Sequence, residues 1–103
     1  MIKVECADGD WLRGAAPLIP DTEMSAAFFE LNRGKRSVAL PAGPDAARTL
    51  LQSLLEKADV FITDRTDKEL RAIGVDGLAN DAYAPNPRLI RVNISAWGER
   101  GPL

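Results

Sequence analysis

Alternating and clustered apolar positions predict four strands along the chain. The first lies at the start, where Ile2 and Val4 alternate with Lys3 and Glu5 as in a strand that buries one face. Three further short apolar runs, bounded by polar or turn-forming residues, are interpreted as strands in the same way. They are 37–40, 60–62 and 89–95, and the uninterrupted apolar run at 60–62 predicts a buried strand.

A helical pattern is clearest between the second and third predicted strands. Apolar residues recur there at intervals of three and four positions, which predicts an amphipathic helix with one buried stripe. Pro44 or Asp45 suits the first turn of this helix. The stripe consists of Ala47, Leu50, Leu51, Leu54, Leu55 and Ala58.

Another helix start is predicted after the third strand. Thr66 and Glu69 have the spacing of a capping box, and Gly74 suits the end of the helix that they begin. The remaining segments are a loop at 6–22, one or two helical turns within 23–31, a tight basic turn at 32–35, a short helix around 77–83 and a closing loop at 98–102.

The alternation of strands and helices predicts an α/β fold, an incomplete Rossmann-like open parallel sheet with flanking helices. The strand, helix and strand within 37–62 are interpreted as a βαβ unit with parallel pairing and a right-handed crossover. A length of 103 residues fits one small domain. Since nothing precedes the first strand that could pair with it, residues 1–103 are expected to be a single partial domain of a larger enzyme.

Composition removes several classes of function. The chain has one cysteine and no histidine, so an internal disulfide, a catalytic triad with histidine and a histidine metal site are all excluded within it. A net charge of -2 suggests neither nucleic acid nor an anionic membrane as a partner. The apolar runs are too short to span a bilayer, and the first residues do not resemble a signal peptide, so a cytoplasmic location is expected.

Candidate site residues follow from the predicted sheet. Ligands of open parallel sheets bind beyond the carboxyl ends of the strands. No glycine-rich phosphate motif is present, so a nucleotide would bind without one. The residues that the rule selects are Cys6, Leu40, Pro41, Asp64, Arg65, Ala96 and Trp97.

Each chemically distinctive residue also has a structural interpretation. Arg33, Lys35 and Arg36 suit a phosphate group, or they form a solvated turn. Asp64 could accept a hydrogen bond from a ribose or an amide, act as a base, or cap the next helix. Cys6 is a nucleophile only if a base lies beside it, and none is visible in the sequence. Trp11 and Trp97 either stack on a ring or pack.

Taken together, a series of short motifs resembles the N-terminal part of the family III CoA-transferases. This family includes formyl-CoA transferases, carnitine CoA-transferases and α-methylacyl-CoA racemases. The motifs are Ile2-Lys3-Val4-Glu5, Gly9-Asp10 with Arg13, Asn32-Arg33-Gly34-Lys35-Arg36-Ser37-Val38, Ala58-Asp59-Val60, Asn86-Pro87-Arg88-Leu89-Ile90, and Gly98 with Gly101-Pro102.

The resemblance implies a Rossmann-like large domain in an interlocked homodimer that acts on acyl-CoA and carboxylate substrates. It also implies an aspartate nucleophile, with no metal and no covalently bound cofactor. Arg33, Lys35 and Arg36 match the turn before the strand that borders the CoA site. Leu40 matches a position near the adenine. Asp64, followed by Arg65, falls where many members carry an asparagine beside the CoA.

The sequence also departs from the family pattern. The family's first strand and helix are absent, and its catalytic aspartate lies downstream of the Gly-Pro motif, so the resemblance assigns no catalytic residue to this chain. The segment 63–67 replaces a common Glu-Asn-Phe-x-Pro-Gly pattern. The expected function is a part of a CoA-transferase, with a fragment of an acyl-CoA racemase or a non-catalytic CoA-binding or structural module as alternatives.

Overall fold

A computed structural model describes residues 1–75 and 85–98. The contacts divide the chain into two compact units, an N-terminal unit Met1–Ala42 and a C-terminal unit Gly43–Leu103. The helix predicted around 77–83 and most of the closing loop lie outside the described residues.

The N-terminal unit is built on one pair of parallel strands. β1 (Ile2–Glu5) pairs with β2 (Arg36–Ala39), and the register places Val4 opposite Val38. A 3-10 helix, Trp11–Gly14, and helix α1 (Ala26–Leu31) connect the two strands. The segment predicted as a loop therefore contains a short helix, whose first turn is held by the side chain of Asp10.

The C-terminal unit is built on a second parallel pair. Helix α2 (Pro44–Leu55) precedes β3 (Val60–Thr63), and helix α3 (Asp67–Ala72) precedes β4 (Ile90–Asn93). β3 pairs with β4. Three residues of the predicted apolar stripe, Ala47, Leu51 and Leu55, are buried, which confirms the buried face of α2. The helix ends at Leu55, before the predicted stripe residue Ala58.

Both ends of α3 follow the sequence prediction. Thr66 and Glu69 form a complete capping box, in which each side chain accepts a hydrogen bond from the backbone N–H of the other residue. Gly74 has a φ of 82°, and the N–H groups of Gly74 and Val75 donate to the carbonyls of Arg71 and Leu70. This is a Schellman motif, and it requires a left-handed residue at Gly74.

The predicted pairing of the strands before and after α2 is wrong. Among the described residues, β2 pairs with β1 and β3 pairs with β4, each in a two-stranded sheet. Every connection between successive strands is long enough for a parallel crossover, so connection length could not identify the partners. The predicted α/β class with parallel pairing is nevertheless confirmed, since both pairs are parallel.

The prediction that 60–62 is a buried strand is also wrong. Val60 and Ile62 remain 47% and 52% exposed, and their register partners on β4, Ile90 and Val92, remain 60% and 40% exposed. An apolar strand is buried only where another layer covers it, and the strand's own sequence does not supply that layer. This apolar face of the C-terminal unit is exposed in the described structure.

Candidate functional site

The best-defined group of polar side chains in the N-terminal unit surrounds Glu5. Glu5 is the last residue of β1 and is only 7% exposed. Arg13 donates from Nε to Oε2 and from Nη2 to Oε1 of Glu5, both at 2.8 Å. Ser37 Oγ donates to Oε1 at 2.9 Å, and the backbone N–H of Asp10 donates to Oε2 at 3.0 Å. Both oxygens of the buried carboxylate are therefore hydrogen-bonded.

Further contacts extend this group, which we call the Glu5 cluster (Lys3, Glu5, Asp10, Arg13 and Ser37). Lys3 Nζ forms an ion pair with Asp10 at 2.6 Å. The guanidinium of Arg13 lies over the ring of Phe28, 4.2 Å from its centroid. The cluster thus joins β1, β2, the 3-10 helix and α1.

Charge pairing shifts the pKa values within the cluster. The hydrogen bond from Arg13 is the main reason that the pKa of Glu5 falls from its ordinary 4.5 to about 2, although burial alone would raise it. The hydrogen bond from Lys3 lowers the pKa of Asp10, and the bond to Glu5 raises the pKa of Arg13. A carboxylate so weakly basic and so fully bonded is a poor general base, so the cluster is structural in character.

Sequence reasoning singled out members of the Glu5 cluster only as family motifs. One available signal was that Glu5 lies in a predicted strand between the apolar residues Val4 and Cys6. A carboxylate buried in a strand needs a cationic partner, so a nearby arginine or lysine could have been expected to pair with it. Gly9, with a φ of 78°, completes the turn from which Asp10 and Arg13 reach back to β1.

At the carboxyl end of β1 and β2 the structure brings two of the predicted site residues side by side. Glu5 is opposite Ala39 in the register, so Cys6 and Leu40 follow at the same edge, and the N–H of Leu40 donates to the carbonyl of Glu5 at 2.7 Å. Leu40 is 8% exposed, whereas Cys6 and Pro41 are exposed.

The basic turn (Arg33, Lys35 and Arg36) lies at the opposite end of β2. Arg36 begins that strand, and its N–H donates to the carbonyl of Met1. Along the extended chain, Arg36 and Leu40 are four residues and therefore about 13 Å apart. Arg33 contacts Glu30 at 4.0 Å, with both side chains 69% exposed, and Lys35 Nζ donates to Asn32 at 3.1 Å. The basic turn and Leu40 therefore do not form one compact cluster.

Four predicted site residues, Asp64, Arg65, Ala96 and Trp97, lie near the carboxyl ends of β3 and β4 and are exposed. The interpretation of Asp64 as a helix cap is wrong, because Thr66 caps α3. Arg65 forms an ion pair with Glu69 at 3.5 Å. Trp97 is 81% exposed, and Trp11 of the N-terminal unit is 82% exposed.

Asn86, which sequence reasoning named only as part of a family motif, is a structural residue. Its side-chain amide donates to the carbonyls of Leu55 and Ala58, at 2.9 and 2.8 Å. These carbonyls lie at and just beyond the C-terminal end of α2, where helices leave carbonyl groups without intrahelical partners. Asn86 thereby fixes the start of the segment that leads into β4.

The fold and these motif residues define a class of protein. The model of CoA-transferase family III matches residues 1–103, which include the Glu5 cluster and Asn86. The chain belongs to CoA-transferase family III. No helix within residues 1–75 or 85–98 is both long and apolar enough to cross a membrane.

Individual relatives make the comparison more specific. A succinyl-CoA:mesaconate CoA-transferase of Haloarcula hispanica is 40% identical over 104 residues, which cover 96% of this chain and 25% of the relative. A probable fatty acyl-CoA transferase of Mycobacterium tuberculosis, Rv3272, is 29% identical over 103 residues, which cover 99% of this chain and 26% of the relative. The crystal structure of Rv3272 matches with a TM-score of 0.77 at 28% identity, covering 98% of this chain and 28% of that one. The chain spans about a quarter of the length of these curated relatives.

Proposed function

We propose that this chain is part of an enzyme that moves CoA between carboxylic acids by way of acyl-CoA thioesters. The observation that supports the proposal is the family match over residues 1–103, together with relatives that are named CoA-transferases. The nucleophilic aspartate of such a reaction lies outside this chain. The chain itself contributes scaffold and part of the CoA-binding surface.

The basic turn provides the charge that a CoA phosphate requires. Arg33 forms an exposed ion pair with Glu30 at the outer limit of contact, 4.0 Å, and its guanidinium lies 5.8 Å from the ring centroid of Phe29. Such a pair contributes little to stability, so a phosphate can replace the carboxylate at small cost. Arginine and lysine both bind phosphate through charge-assisted hydrogen bonds.

The proposed surface runs along β2 from the basic turn to Leu40. CoA is an extended molecule, and it can reach from Arg36 to Leu40, which are about 13 Å apart. Leu40 supplies an apolar contact at the carboxyl end. In the C-terminal unit, Asp64 and Arg65 at the carboxyl end of β3 are also proposed to contact CoA, as the family resemblance implies.

The activity is tested on the full-length protein that contains this chain, with a panel of acyl-CoA donors and carboxylate acceptors. A transferase forms a new acyl-CoA only when an acceptor is present. A racemase instead exchanges the hydrogen on C2 of a 2-methylacyl-CoA with deuterated solvent and needs no acceptor. Binding of CoA without either reaction would identify a non-catalytic module. Absence of both binding and turnover would overturn the proposal.

The binding surface is tested by neutralising the basic turn. The variant Arg33→Gln/Lys35→Gln/Arg36→Gln should raise the KM for acyl-CoA about tenfold or more, because each charge-assisted bond to a phosphate is worth about 1.5–3 kcal/mol. The matched control removes as many exposed charges elsewhere, as Lys57→Gln/Lys68→Gln/Arg88→Gln. Equal effects of the two variants would rule out a specific phosphate site at the turn.

A further inference from the structure

We propose that Glu5 and Arg13 are positioning residues for the acyl-CoA site, because they fix the turn 6–9 that forms one of its walls. This inference rests on the proposed function and extends it to residues that do not touch the ligand. The turn directly follows β1, at the edge of a parallel pair where α/β proteins bind their ligands.

The turn is held in one conformation by several independent contacts. The N–H of Gly9 donates to the carbonyl of Cys6 at 2.9 Å and closes the turn. A Cβ atom on Gly9 would lie 3.2 Å from Cδ of Arg13, so the turn packs closely against the Arg13 side chain. The next residue, Asp10, is tied to Glu5 through its N–H and to Lys3 through its carboxylate.

Arg13 connects this turn to the rest of the unit. Its guanidinium binds Glu5 on β1 and lies over Phe28 of α1. Its carbonyl accepts a hydrogen bond from the N–H of Ser25, which is completely buried and caps α1. Loss of the Glu5–Arg13 contact would therefore loosen the turn, while the bonds of Asp10 to Lys3 and Glu5 and the backbone bond from Ser25 to Arg13 would remain.

The geometry favours positioning over direct ligand binding. Nε and Nη2 of Arg13 are already directed at Glu5, and one face of the guanidinium is occupied by the ring of Phe28. Glu5 is buried and bonded at both oxygens. The Glu5–Arg13 pair therefore fixes the position of the turn before the ligand binds. Small displacements of the turn would weaken ligand binding.

Steady-state kinetics of the full-length protein test the inference with Glu5→Gln and Arg13→Lys. Glu5→Gln keeps the size of the side chain but removes its negative charge. Arg13→Lys keeps the positive charge but removes the planar guanidinium that donates two hydrogen bonds to Glu5. Both should raise the KM for acyl-CoA about tenfold, with kcat per folded molecule and the KM for the carboxylate within about twofold of wild type. The matched control is Glu23→Gln, the same change at an exposed position.

The outcomes separate this inference from the proposed function. A wild-type protein that neither binds CoA nor transfers it contradicts the proposed function. The positioning role is overturned if the wild-type protein binds and transfers CoA but the variants have an unchanged KM for acyl-CoA. It is also overturned if only kcat falls in the variants. If Glu5→Gln does not fold, Arg13→Lys decides the question.

A second readout reports on the turn itself. Cys6 is exposed within the turn, so CoA bound against this wall should slow alkylation of Cys6 by iodoacetamide several-fold, measured on the Cys6 peptide by mass spectrometry. At a CoA concentration a few times the wild-type Kd, Arg13→Lys should show clearly less protection than wild type, because its binding is about tenfold weaker. Alkylation of the wild-type Cys6 at the same rate with and without saturating CoA would contradict the inference.

Discussion

The two units hold their connecting segments in place by different means. In the N-terminal unit, the loop after β1 is fixed by an ion pair between the buried Glu5 and the partly exposed Arg13. In the C-terminal unit, the segment around α3 is fixed by helix caps and by the left-handed backbone of Gly74. The first device depends on charge and therefore on pH, whereas the second depends mainly on backbone conformation and close packing.

Removing the guanidinium of Arg13 should have the largest effect on stability. Arg13→Ala leaves the carboxylate of Glu5, whose side chain is 5% exposed, without its cationic partner. Breaking a buried ion pair in this way typically costs about 3–5 kcal/mol. We expect a loss in the lower half of that range, because the Arg13 side chain is itself 41% exposed, and urea unfolding followed by circular dichroism would measure it.

The matched control for this prediction is Arg33→Ala. Arg33 also pairs with a glutamate and lies near a phenylalanine ring, but its ion pair is exposed and 4.0 Å long. Its loss should cost less than about 1 kcal/mol. Similar costs for the two variants would mean that burial adds nothing to the Glu5–Arg13 pair.

Acid should weaken the N-terminal unit through the same group. The pKa of Glu5 is lowered from 4.5 to about 2 in the folded chain, so its contribution is complete above pH 4.5 and is lost as the pH falls toward 2. The shift corresponds to at most about 3 kcal/mol. Unfolding free energies measured between pH 6 and pH 2 should fall less steeply for Glu5→Gln than for wild type, and parallel curves would contradict the assignment.

Gly74→Ala tests the conformational device of the C-terminal unit. A Cβ at Gly74 would lie 2.8 Å from Cβ and 2.9 Å from Cγ of Arg48, and the residue has a φ of 82°. Strain and overlap together should cost about 2–3 kcal/mol. Gly34→Ala is the matched control, since Gly34 has a φ of 76° in open space and should show the backbone cost alone, about 1 kcal/mol. Equal losses of unfolding free energy for Gly74→Ala and Gly34→Ala would show that the Arg48 side chain moves aside without destabilising the unit.

Local structure was predictable from the sequence because its causes are local. The capping box at Thr66, the glycine end of α3 and the buried stripe of α2 all depend on residues a few positions apart. Strand partners depend instead on which surfaces meet, and every connection permitted a parallel crossover. Pairing of β2 with β1, rather than with β3, therefore could not be read from periodicity.

The candidate site shows the same limit. The carboxyl-edge rule selected Cys6 and Leu40 as site residues, and the structure has them at the same edge because β1 and β2 are parallel. Their role in binding stays a prediction. The basic turn precedes β2 and therefore lies at the amino end of that strand. Leu40 lies at the carboxyl end, so the two are close in sequence but at opposite ends of the strand. The bond from Ser37 to Glu5 could not be predicted, because it joins residues brought together only by strand pairing.

The exposed apolar face of the C-terminal unit gives the prediction with the smallest effect on stability. Ile62 is 52% exposed, so Ile62→Lys should change the free energy of unfolding of this chain by less than about 1 kcal/mol. The same change interrupts a continuous apolar surface with Val60, Ile90 and Val92, and such surfaces promote association. Sedimentation velocity should show concentration-dependent association of the wild-type chain and less of it for Ile62→Lys. Leu31→Lys, at a 67% exposed position on α1, should associate as wild type does. A large loss of stability in Ile62→Lys would mean that the apolar face is already covered within the folded chain.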